Sequence, residues 1–291
     1  MSQKLKQHTS QSVGLDIAVN LANFATGKDN LHYGIWDGLD VNLGNLCLAQ
    51  EAYTKKLLSY LPKGKKLTIL DVGGGAGETA KELLSLGHEV TLIVPSASLA
   101  SLAKKNTRNE AKIKLCTFED YEPNRNQLFD LCLFSESFQY IPLRFALKKA
   151  KKILKNNGKV LISDCFRSNA IKQKYSHRPP GGGHLLSEMY EEIKLNNLRV
   201  ISSEEITQSV SGSIDLEQKF YNTIGSILIR VKHTFSVKNP ILFLIASNIY
   251  KFLLSKKKRI NVNNRLYKDL RNSKIFEKYN HYMVFFLEPI N

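Results

Sequence analysis

The stretch Leu67-Thr-Ile-Leu-Asp-Val-Gly-Gly-Gly-Ala-Gly-Glu-Thr-Ala80 decides the fold of this chain. A short apolar run ends on Asp71, glycines follow at positions 73, 75 and 77, and residues 78–86 have a helical pattern. Glycine lets a backbone turn tightly and approach a ligand closely. A helix N-terminus offers unpaired N–H groups to a polar or anionic group. The stretch therefore predicts a strand, a turn and a helix start that bind a ligand, with an ordinary tight turn as the alternative.

Strand and helix patterns alternate at steady intervals after this turn. We predict strands at residues 88–94, 112–118, 129–134 and 160–165, and helices at 96–105 and 142–155, the last capped by Asn157-Gly158. Such alternation is typical of a parallel sheet with helices on both faces. Ligands of these sheets bind at the carboxyl ends of the strands.

Two helices are predicted before the sheet, and together they form an N-terminal helical cap over residues 1–64. Val13, Ile17, Leu21 and Phe24 recur at helical spacing, and Gly27 follows as a stop. The second helix covers about residues 44–61. The segment between these helices contains the only tryptophan of the chain, Trp36.

The glycine turn and two later segments together resemble a known enzyme family. The turn has the spacing Asp-x-Gly-x-Gly-x-Gly, which differs from the dinucleotide fingerprint. Residues 129–142 and 150–164 resemble the fourth and fifth strands of small-molecule methyltransferases. Over about residues 65–165 the chain resembles the class I S-adenosylmethionine-dependent methyltransferases, such as the tocopherol, sterol and natural-product enzymes. The resemblance implies a Rossmann-like, seven-stranded α/β sheet with S-adenosylmethionine as cofactor.

The resemblance also implies which residues hold the cofactor. In that family the turn packs under the methionine part of the cofactor. The residues expected around it are Asp71, Gly73, Gly75, Gly77, Ser96, Thr117, Phe118, Glu119 and Ser135.

Two positions depart from the family pattern. The acidic residue that usually accepts the ribose hydroxyls is replaced by Val94, and the residue near the adenine amino group is Thr117, with Glu119 or Asp120 as substitutes. A buried hydroxyl without a partner costs roughly 1–3 kcal/mol, unless Ser96 or a water compensates. A relative that has lost catalysis therefore remains an open alternative.

The run His32-Tyr33-Gly34-Ile35-Trp36 resembles a segment that precedes the core in the same enzymes. There the tyrosine of the N-terminal cap lies near the methyl-sulfonium end of the cofactor. An aromatic face attracts such a cation. The alternative is that Tyr33 and Trp36 only pack the cap onto the sheet.

Glu136 and two loop histidines are candidates for acid–base chemistry. Glu136 follows the fourth predicted strand, and a carboxylate there can take a proton or stabilise a cation. It can equally hydrogen-bond the backbone or the cofactor. His177, Arg178 and His184 lie in a Gly/Pro-rich loop after the fifth strand, where a histidine can act as a base. A solvated loop histidine is the alternative for each. No metal-ligand pattern is predicted.

The last part of the chain departs from simple alternation. Residues 199–206 are predicted as a sixth strand and 281–287 as a seventh, antiparallel between the fifth and sixth. The methyltransferase core then comprises residues 65–211 and 279–291. Between these two parts lies a basic helical insertion, residues 212–278, with 14 Lys/Arg and four Asp/Glu. The resemblance implies that this insertion covers the acceptor pocket.

The most apolar part of the insertion is residues 241–254, directly before Lys256-Lys-Lys-Arg259. It is too short to span a bilayer, which takes about 20 residues. Ser247, Asn248 and Lys251 give a helix there one polar edge. Such a helix either completes the core over the active site or lies in the interface of an anionic membrane.

The composition of the chain indicates its cellular compartment and the kind of partner it binds. The formal charge is +16, and the four cysteines, which lack CxxC spacing, indicate buried reduced thiols. No secretory signal is predicted, so a cytoplasmic enzyme that is peripheral at a membrane is expected. The basic residues lie beside the most apolar segment without interleaved aromatics, a pattern that argues against nucleic acid.

Two functions compete at this point. The first is methyl transfer from S-adenosylmethionine to a hydrophobic small molecule, whether prenyl, sterol-like, quinone or fatty. The second is a non-catalytic or RNA-associated basic protein on the same fold. The sequence leaves open the oligomeric state and whether carbon, oxygen or nitrogen is methylated.

Overall fold

A seven-stranded mixed sheet forms the centre of the computed structural model, which describes residues 10–124, 127–172 and 179–290. The strand order is β3-β2-β1-β4-β5-β7-β6. β7 is antiparallel to both neighbours, and the first five strands are parallel. The strands are β1 Thr68–Val72, β2 Glu89–Ile93, β3 Lys112–Lys114, β4 Phe129–Ser135, β5 Leu154–Arg167, β6 Leu198–Glu205 and β7 Asn280–Pro289. The predicted sheet, including the inserted seventh strand, is confirmed.

Helices cover both faces of the sheet. The central strands are therefore buried on both sides, and their apolar residues belong to two clusters. The helices are α1 Ser10–Thr26, α2 Leu46–Leu58, α3 Glu78–Ser85, α4 Ala97–Asn106, α5 Leu143–Lys152, α6 Leu186–Leu195, α7 Thr207–Lys238, α8 Pro240–Leu253, α9 Lys256–Tyr267 and α10 Ser273–Tyr279. α6, which buries Met189 and Ile193, is not among the predicted helices.

The register of the central strands brings three chain segments together. Val72 of β1 pairs with Ile93 of β2 on one side and Phe134 of β4 on the other. The three strands therefore end at one level, and the segments that follow them share one edge of the sheet. The glycine turn lies there beside Val94 and Glu136.

β5 is longer than predicted and differs at its start. Asn157-Gly158, predicted as a helix cap, lies within this strand. Phe129 pairs with Leu154, and the register shifts before Leu131 pairs with Lys159. A Cβ on Gly158 would lie 2.9 Å from the Phe129 carbonyl oxygen. This close approach explains the glycine better than a helix end does.

The cysteines only partly follow the prediction. All four are free thiols, and Cys132 and Cys165 are buried. Cys47 and Cys116 are partly exposed. The prediction that Cys116 is buried is wrong because β3 ends at Lys114 and does not carry it into the sheet.

Trp36 attaches the N-terminal cap to α7. Its backbone N–H donates to the Ser209 carbonyl oxygen at 2.8 Å, and its Nε1 donates to Ser213 Oγ at 2.8 Å. A Cβ on Gly212 would lie 3.0 Å from the indole. These contacts favour the packing alternative for Trp36.

α7 runs from Thr207 to Lys238, so the predicted start of the insertion at residue 212 lies within this helix. The first half of α7 and the whole of α10 pack against the core, where Val210, Ile214 and Phe276 are buried. α8 has no buried residue. The alternative in which residues 241–254 complete the core is therefore wrong. Within the described ranges, no helix is long and apolar enough to cross a membrane.

Candidate active site

The glycine turn is built from left-handed backbone at three positions. Gly73, Gly75 and Gly77 have φ angles of +72°, +55° and +82°, which side-chain-bearing residues rarely adopt. A Cβ on Gly73 would lie 2.6 Å from the Ser137 Cβ, whereas nothing lies within 4 Å of one on Gly75. The turn is therefore closed on the side of Ser137 and open above Gly75.

Asp71 lies beneath this turn with no hydrogen-bond partner. Its side chain is fully buried, and neither carboxylate oxygen is bonded within the described part of the chain. A Cβ on Gly74 would lie 2.2 Å from Asp71 Oδ2. Burial raises the pKa of Asp71 to about 7. A buried carboxylate without partners is costly, which indicates a site that a ligand completes.

Hydrogen bonds of Asn106, Asp29 and Glu78 connect the N-terminal cap to the same turn. Asn106 Nδ2 donates to the Ala76 carbonyl oxygen at 2.9 Å and to Asp29 Oδ2 at 2.8 Å. The Asp29 N–H donates to Glu78 Oε1 at 3.3 Å. These contacts join residues far apart in sequence, and no local pattern marks them.

Glu136 lies at the end of β4 with a φ of +53°, which is uncommon for a residue with a side chain. Its N–H donates to the Ser163 carbonyl oxygen at 2.9 Å. Its Oε1 accepts hydrogen bonds from the Tyr33 N–H and the Tyr282 hydroxyl, both at 2.7 Å. Burial raises the pKa of Glu136 to about 8, and the two hydrogen bonds oppose the rise. This strained conformation aims the carboxyl group at the cap.

A chain of buried hydroxyls continues from Glu136. The Tyr282 hydroxyl lies 3.0 Å from the Tyr53 hydroxyl, which donates to Ser163 Oγ at 2.8 Å. Ser135 Oγ lies 3.3 Å from the Tyr53 hydroxyl. Both tyrosines lie in apolar stretches of the sequence, where the pattern indicates core residues. That interpretation is correct for their rings and misses their hydroxyls.

The ring of Tyr33 lies among aromatic neighbours. Its centroid is 6.0 Å from that of Tyr282 and 6.1 Å from that of Phe276. Tyr33 therefore packs the cap onto the sheet and also brings its N–H to Glu136. A contact with the cofactor stays a prediction for this residue.

The other expected cofactor residues lie around the same edge in different settings. Ser96 caps α4, with its Oγ accepting from the Leu99 N–H. Thr117 donates to Asp120 at 3.0 Å, and Glu119 is exposed beside it. Phe118 is buried with its ring 5.4 Å from that of Phe134. Their binding roles stay predictions.

Val94, the position at which the family usually has an acidic residue, is buried in the apolar core. Its N–H donates to the Lys114 carbonyl oxygen at 3.0 Å. A carboxylate at this position would enter an apolar environment, which is unfavourable unless a ligand compensates it.

His184 is fixed by its hydrogen bonds. Its ring Nε2 lies 2.9 Å from the Ile141 carbonyl oxygen, so this nitrogen carries the proton, and its own carbonyl oxygen accepts from the Arg167 N–H at 2.7 Å. Arg167 donates to the carbonyl oxygens of Pro180 and Gly181. The loop is thereby held against the segment that follows β4. His177 and Arg178 lie outside the described residues.

A second buried carboxyl group, Asp164 of β5, lies near Glu136 and is not predicted from the sequence. It accepts from the backbone N–H and the side-chain amide of Gln139, both at 3.0 Å. Burial raises the pKa of Asp164 to about 7. Because the second half of β5 is buried at every position, its pattern does not show which polar residue faces the site.

Comparison with known proteins agrees with this geometry. Residues 70–162 match the family model of a methyltransferase domain. No curated protein matches the chain.

Solved structures share the fold over almost the whole chain. Geranyl diphosphate C-methyltransferase from Streptomyces coelicolor A3(2), solved with Mg²⁺, geranyl diphosphate and S-adenosyl-L-homocysteine, is 13% identical, covers 98% of this chain and 99% of its own, and has a TM-score of 0.63. The cyclopropane synthase MmaA2 from Mycobacterium tuberculosis is 12% identical over 97% of this chain and 96% of its own, with a TM-score of 0.64. The [4+2]-cyclase SpnF is 14% identical over the same shares, with a TM-score of 0.63.

The family model confirms a methyltransferase domain over residues 70–162, and the shared fold agrees with the predicted class, an S-adenosylmethionine-dependent methyltransferase. The cofactor of this class is S-adenosylmethionine. At these identities the solved structures show the fold alone, so the acceptor is a separate question.

Proposed function

We propose that this methyltransferase moves the methyl group of S-adenosylmethionine to a hydrophobic small molecule of prenyl, sterol-like, quinone or fatty character. The observation that carries the proposal is the pairing of two sites at one edge of the sheet. One is the open glycine turn above the unpartnered carboxyl group of Asp71. The other is the strained Glu136, whose carboxyl group accepts from the N–H of Tyr33 in the N-terminal cap.

The residues of the first site fit the cofactor. The turn is open above Gly75, and Asp71 offers two acceptor oxygens without donors. Gly73, Gly75, Gly77 and Asp71 would hold the cofactor, with Ser96, Thr117, Phe118, Glu119 and Ser135 around it. When bound, S-adenosylmethionine supplies a methyl group on a cationic sulfur.

The residues of the second site would orient the acceptor and handle its proton. Placing the reactants in line provides most of the rate enhancement in such a displacement. Glu136 is the candidate base, since its Oε1 is fixed by Tyr33 and Tyr282. His184 is a second candidate, because the bond to Ile141 leaves Nδ1 as the basic nitrogen. His177 stays a prediction from sequence.

The acceptor is proposed to be apolar because aromatic residues surround Glu136: Tyr33 and Tyr282 bond its carboxyl group, and Phe276 packs against the ring of Tyr33. Two of the proteins that share the fold are named for geranyl diphosphate and cyclopropane chemistry. Apolar acceptors partition into lipid, so a cytoplasmic enzyme that works at an anionic membrane surface is part of this proposal.

Calorimetry with S-adenosylmethionine and S-adenosylhomocysteine tests the first site. Absence of binding at millimolar concentration would remove the enzymatic proposal. A panel of prenyl, sterol, quinone and fatty acceptors, read by mass spectrometry for a gain of one methyl group, tests the second. With an accepted substrate, Glu136→Gln and His184→Ala should lower turnover and leave cofactor binding intact. Unchanged turnover in both variants would place the chemistry elsewhere.

The alternative is a non-catalytic or RNA-associated basic protein. The fold alone permits other activities, since SpnF is named a [4+2]-cyclase. Saturable binding of a structured RNA without any cofactor binding would favour that alternative.

A further inference from the structure

Residues 226–264 form an arm that projects from the methyltransferase core. It consists of the second half of α7, all of α8 and most of α9. Its base is tightly built: a Cβ on Gly225 of α7 would lie 2.2 Å from the Leu266 carbonyl oxygen. Gln218 Nε2 donates to the Arg265 carbonyl oxygen at 3.1 Å, and Arg265 forms an ion pair with Glu217 at 2.8 Å. The arm is therefore anchored to the protein at one end.

Beyond that base, large apolar side chains of the arm are exposed on all three helices. Phe252 is 90% exposed and Ile241 is 75% exposed. The exposed apolar residues are Ile227, Leu228, Ile229, Val231, Phe235, Val237, Ile241, Leu242, Leu244, Ile245, Ile249, Tyr250, Phe252, Leu253, Ile260 and Val262. A water-soluble surface rarely carries so many together, and such patches mark interaction sites.

α8 turns its apolar face outward, whereas a helix that completes a core turns its apolar face inward. Phe243 and Ser247, one turn apart, are its partly buried positions, and Phe243 packs 6.3 Å from Phe235 of α7. Ser247 belongs to the polar edge that the sequence predicts, and it faces inward. Most of the apolar residues of α8 face outward. An outward apolar face requires an apolar partner.

The charges of the arm are all of one sign. Between Glu217 and Asp269 the sequence has no acidic residue. The arm itself carries eight basic residues: Arg230, Lys232, Lys238, Lys251, Lys256, Lys257, Lys258 and Arg259. The partner must therefore be apolar and also negatively charged. A second copy of the arm would bring another eight positive charges against the first, which opposes self-association.

We infer that the arm docks on an anionic lipid bilayer, with the outer face of α8 and the end of α7 inserted among the acyl chains. α8 has 14 residues, fewer than the roughly 20 that span a bilayer, so it lies in the interface. The basic residues at its end then meet lipid headgroups, whose negative charge attracts them. This inference deepens the proposed function, because it gives an apolar acceptor a route from the membrane.

Vesicle sedimentation tests the arm without any measurement of methyl transfer. The full-length protein is mixed with phosphatidylcholine vesicles and with vesicles that also contain phosphatidylglycerol. Two variants change the arm: Lys256, Lys257, Lys258 and Arg259→Gln, and Ile241, Leu244 and Phe252→Ser. A matched control removes four exposed charges outside the arm: Lys63, Lys65, Lys104 and Lys105→Gln. All of these positions are exposed except Arg259, which is half-buried, so the variants should fold, and thermal unfolding verifies this.

Wild type should bind the anionic vesicles and release them as salt rises. The charge variant should bind at least about tenfold more weakly, the apolar variant should also bind more weakly, and the matched control should equal wild type. Equal binding of wild type and charge variant, or no binding of wild type, would overturn the inference. So would a dimer by sedimentation velocity that the apolar variant abolishes, since a second copy would then cover the arm.

The outcomes separate docking from catalysis. Vesicle binding without cofactor binding would retain the docking arm and refute the enzyme. Cofactor binding without vesicle binding would retain the enzyme and refute the arm.

Discussion

The Tyr282 hydroxyl donates to Glu136 Oε1 at 2.7 Å, although the two residues are 146 positions apart. The bond exists because β7 enters the sheet beside β5, which pairs in turn with β4, the strand that carries Glu136 at its end. The hydrogen bond stabilises the carboxylate and so opposes the rise in the pKa of Glu136 that burial causes. The last strand of the chain thus tunes a candidate base at the end of the fourth.

The first prediction concerns the pH dependence of turnover. If Glu136 is the base, turnover should rise with pH through about 8, the pKa of this carboxyl group. Tyr282→Phe removes a bond to the carboxylate, so its midpoint should move to higher pH. Glu136→Gln should abolish the rise. Tyr60→Phe, which removes a hydroxyl that donates to Glu204 at 3.1 Å, is the matched control. If Tyr282→Phe leaves the midpoint unchanged, the Tyr282 hydroxyl does not influence the group that titrates.

The second prediction concerns stability. Burial raises the pKa values of Asp71 and Asp164 to about 7 and that of Glu136 to about 8. In the unfolded chain these groups have pKa values near 4, so above about pH 4 the folded protein binds more protons than the unfolded chain. The free energy of unfolding therefore falls as pH rises, by up to about 1.4 kcal/mol per pH unit for each group. Burial lowers the pKa of His32 to about 4, so below about pH 6.5 this group makes stability rise with pH.

The melting temperature, followed by circular dichroism, should therefore fall between about pH 6.5 and 8. Glu136→Gln should flatten this decline, because it removes one of the three titrating groups. A melting temperature that rises over this range would contradict the raised pKa values.

The third prediction concerns the unpartnered carboxylate. Asp71→Asn should leave the protein as stable as wild type or more so above pH 7, since it removes a buried charge without donors. It should weaken S-adenosylmethionine at least about tenfold, because a carboxylate bonds donors more strongly than an amide does. Calorimetry and thermal unfolding measure the two effects.

Asp130→Asn is the matched control for Asp71. Asp130 is the second residue of the neighbouring strand β4, and its Oδ2 accepts from the Thr68 N–H, from Thr68 Oγ1 and from Lys155 Nζ, each at 2.8 Å. Its variant should lose stability and keep cofactor binding. If Asp71→Asn behaves in the same way, Asp71 is structural.

The fourth prediction compares two glycines of one turn. Gly75→Ala should cost only the left-handed backbone strain, about 1–2 kcal/mol, because the space around it is open. Its methyl group would nonetheless occupy the opening, so cofactor binding should be lost. Gly73→Ala should cost more stability, because its Cβ overlaps Ser137. Unchanged cofactor affinity in Gly75→Ala would show that the cofactor does not cross this opening.

Local patterns determined the sheet, the glycine turn and the positions of Asp71 and Glu136 at strand ends. The period of apolar residues and the spacing of glycines depend only on residues close together in the chain, so a single sequence shows them. The hydroxyl chain from Glu136 through Tyr282 to Tyr53 joins residues from three distant segments, so only the tertiary structure could reveal it. The same holds for α8: its composition is that of a core helix, and whether its apolar face points inward depends on what packs beside it. In this protein α7 packs beside it, through Phe235 against Phe243, and the apolar face remains exposed.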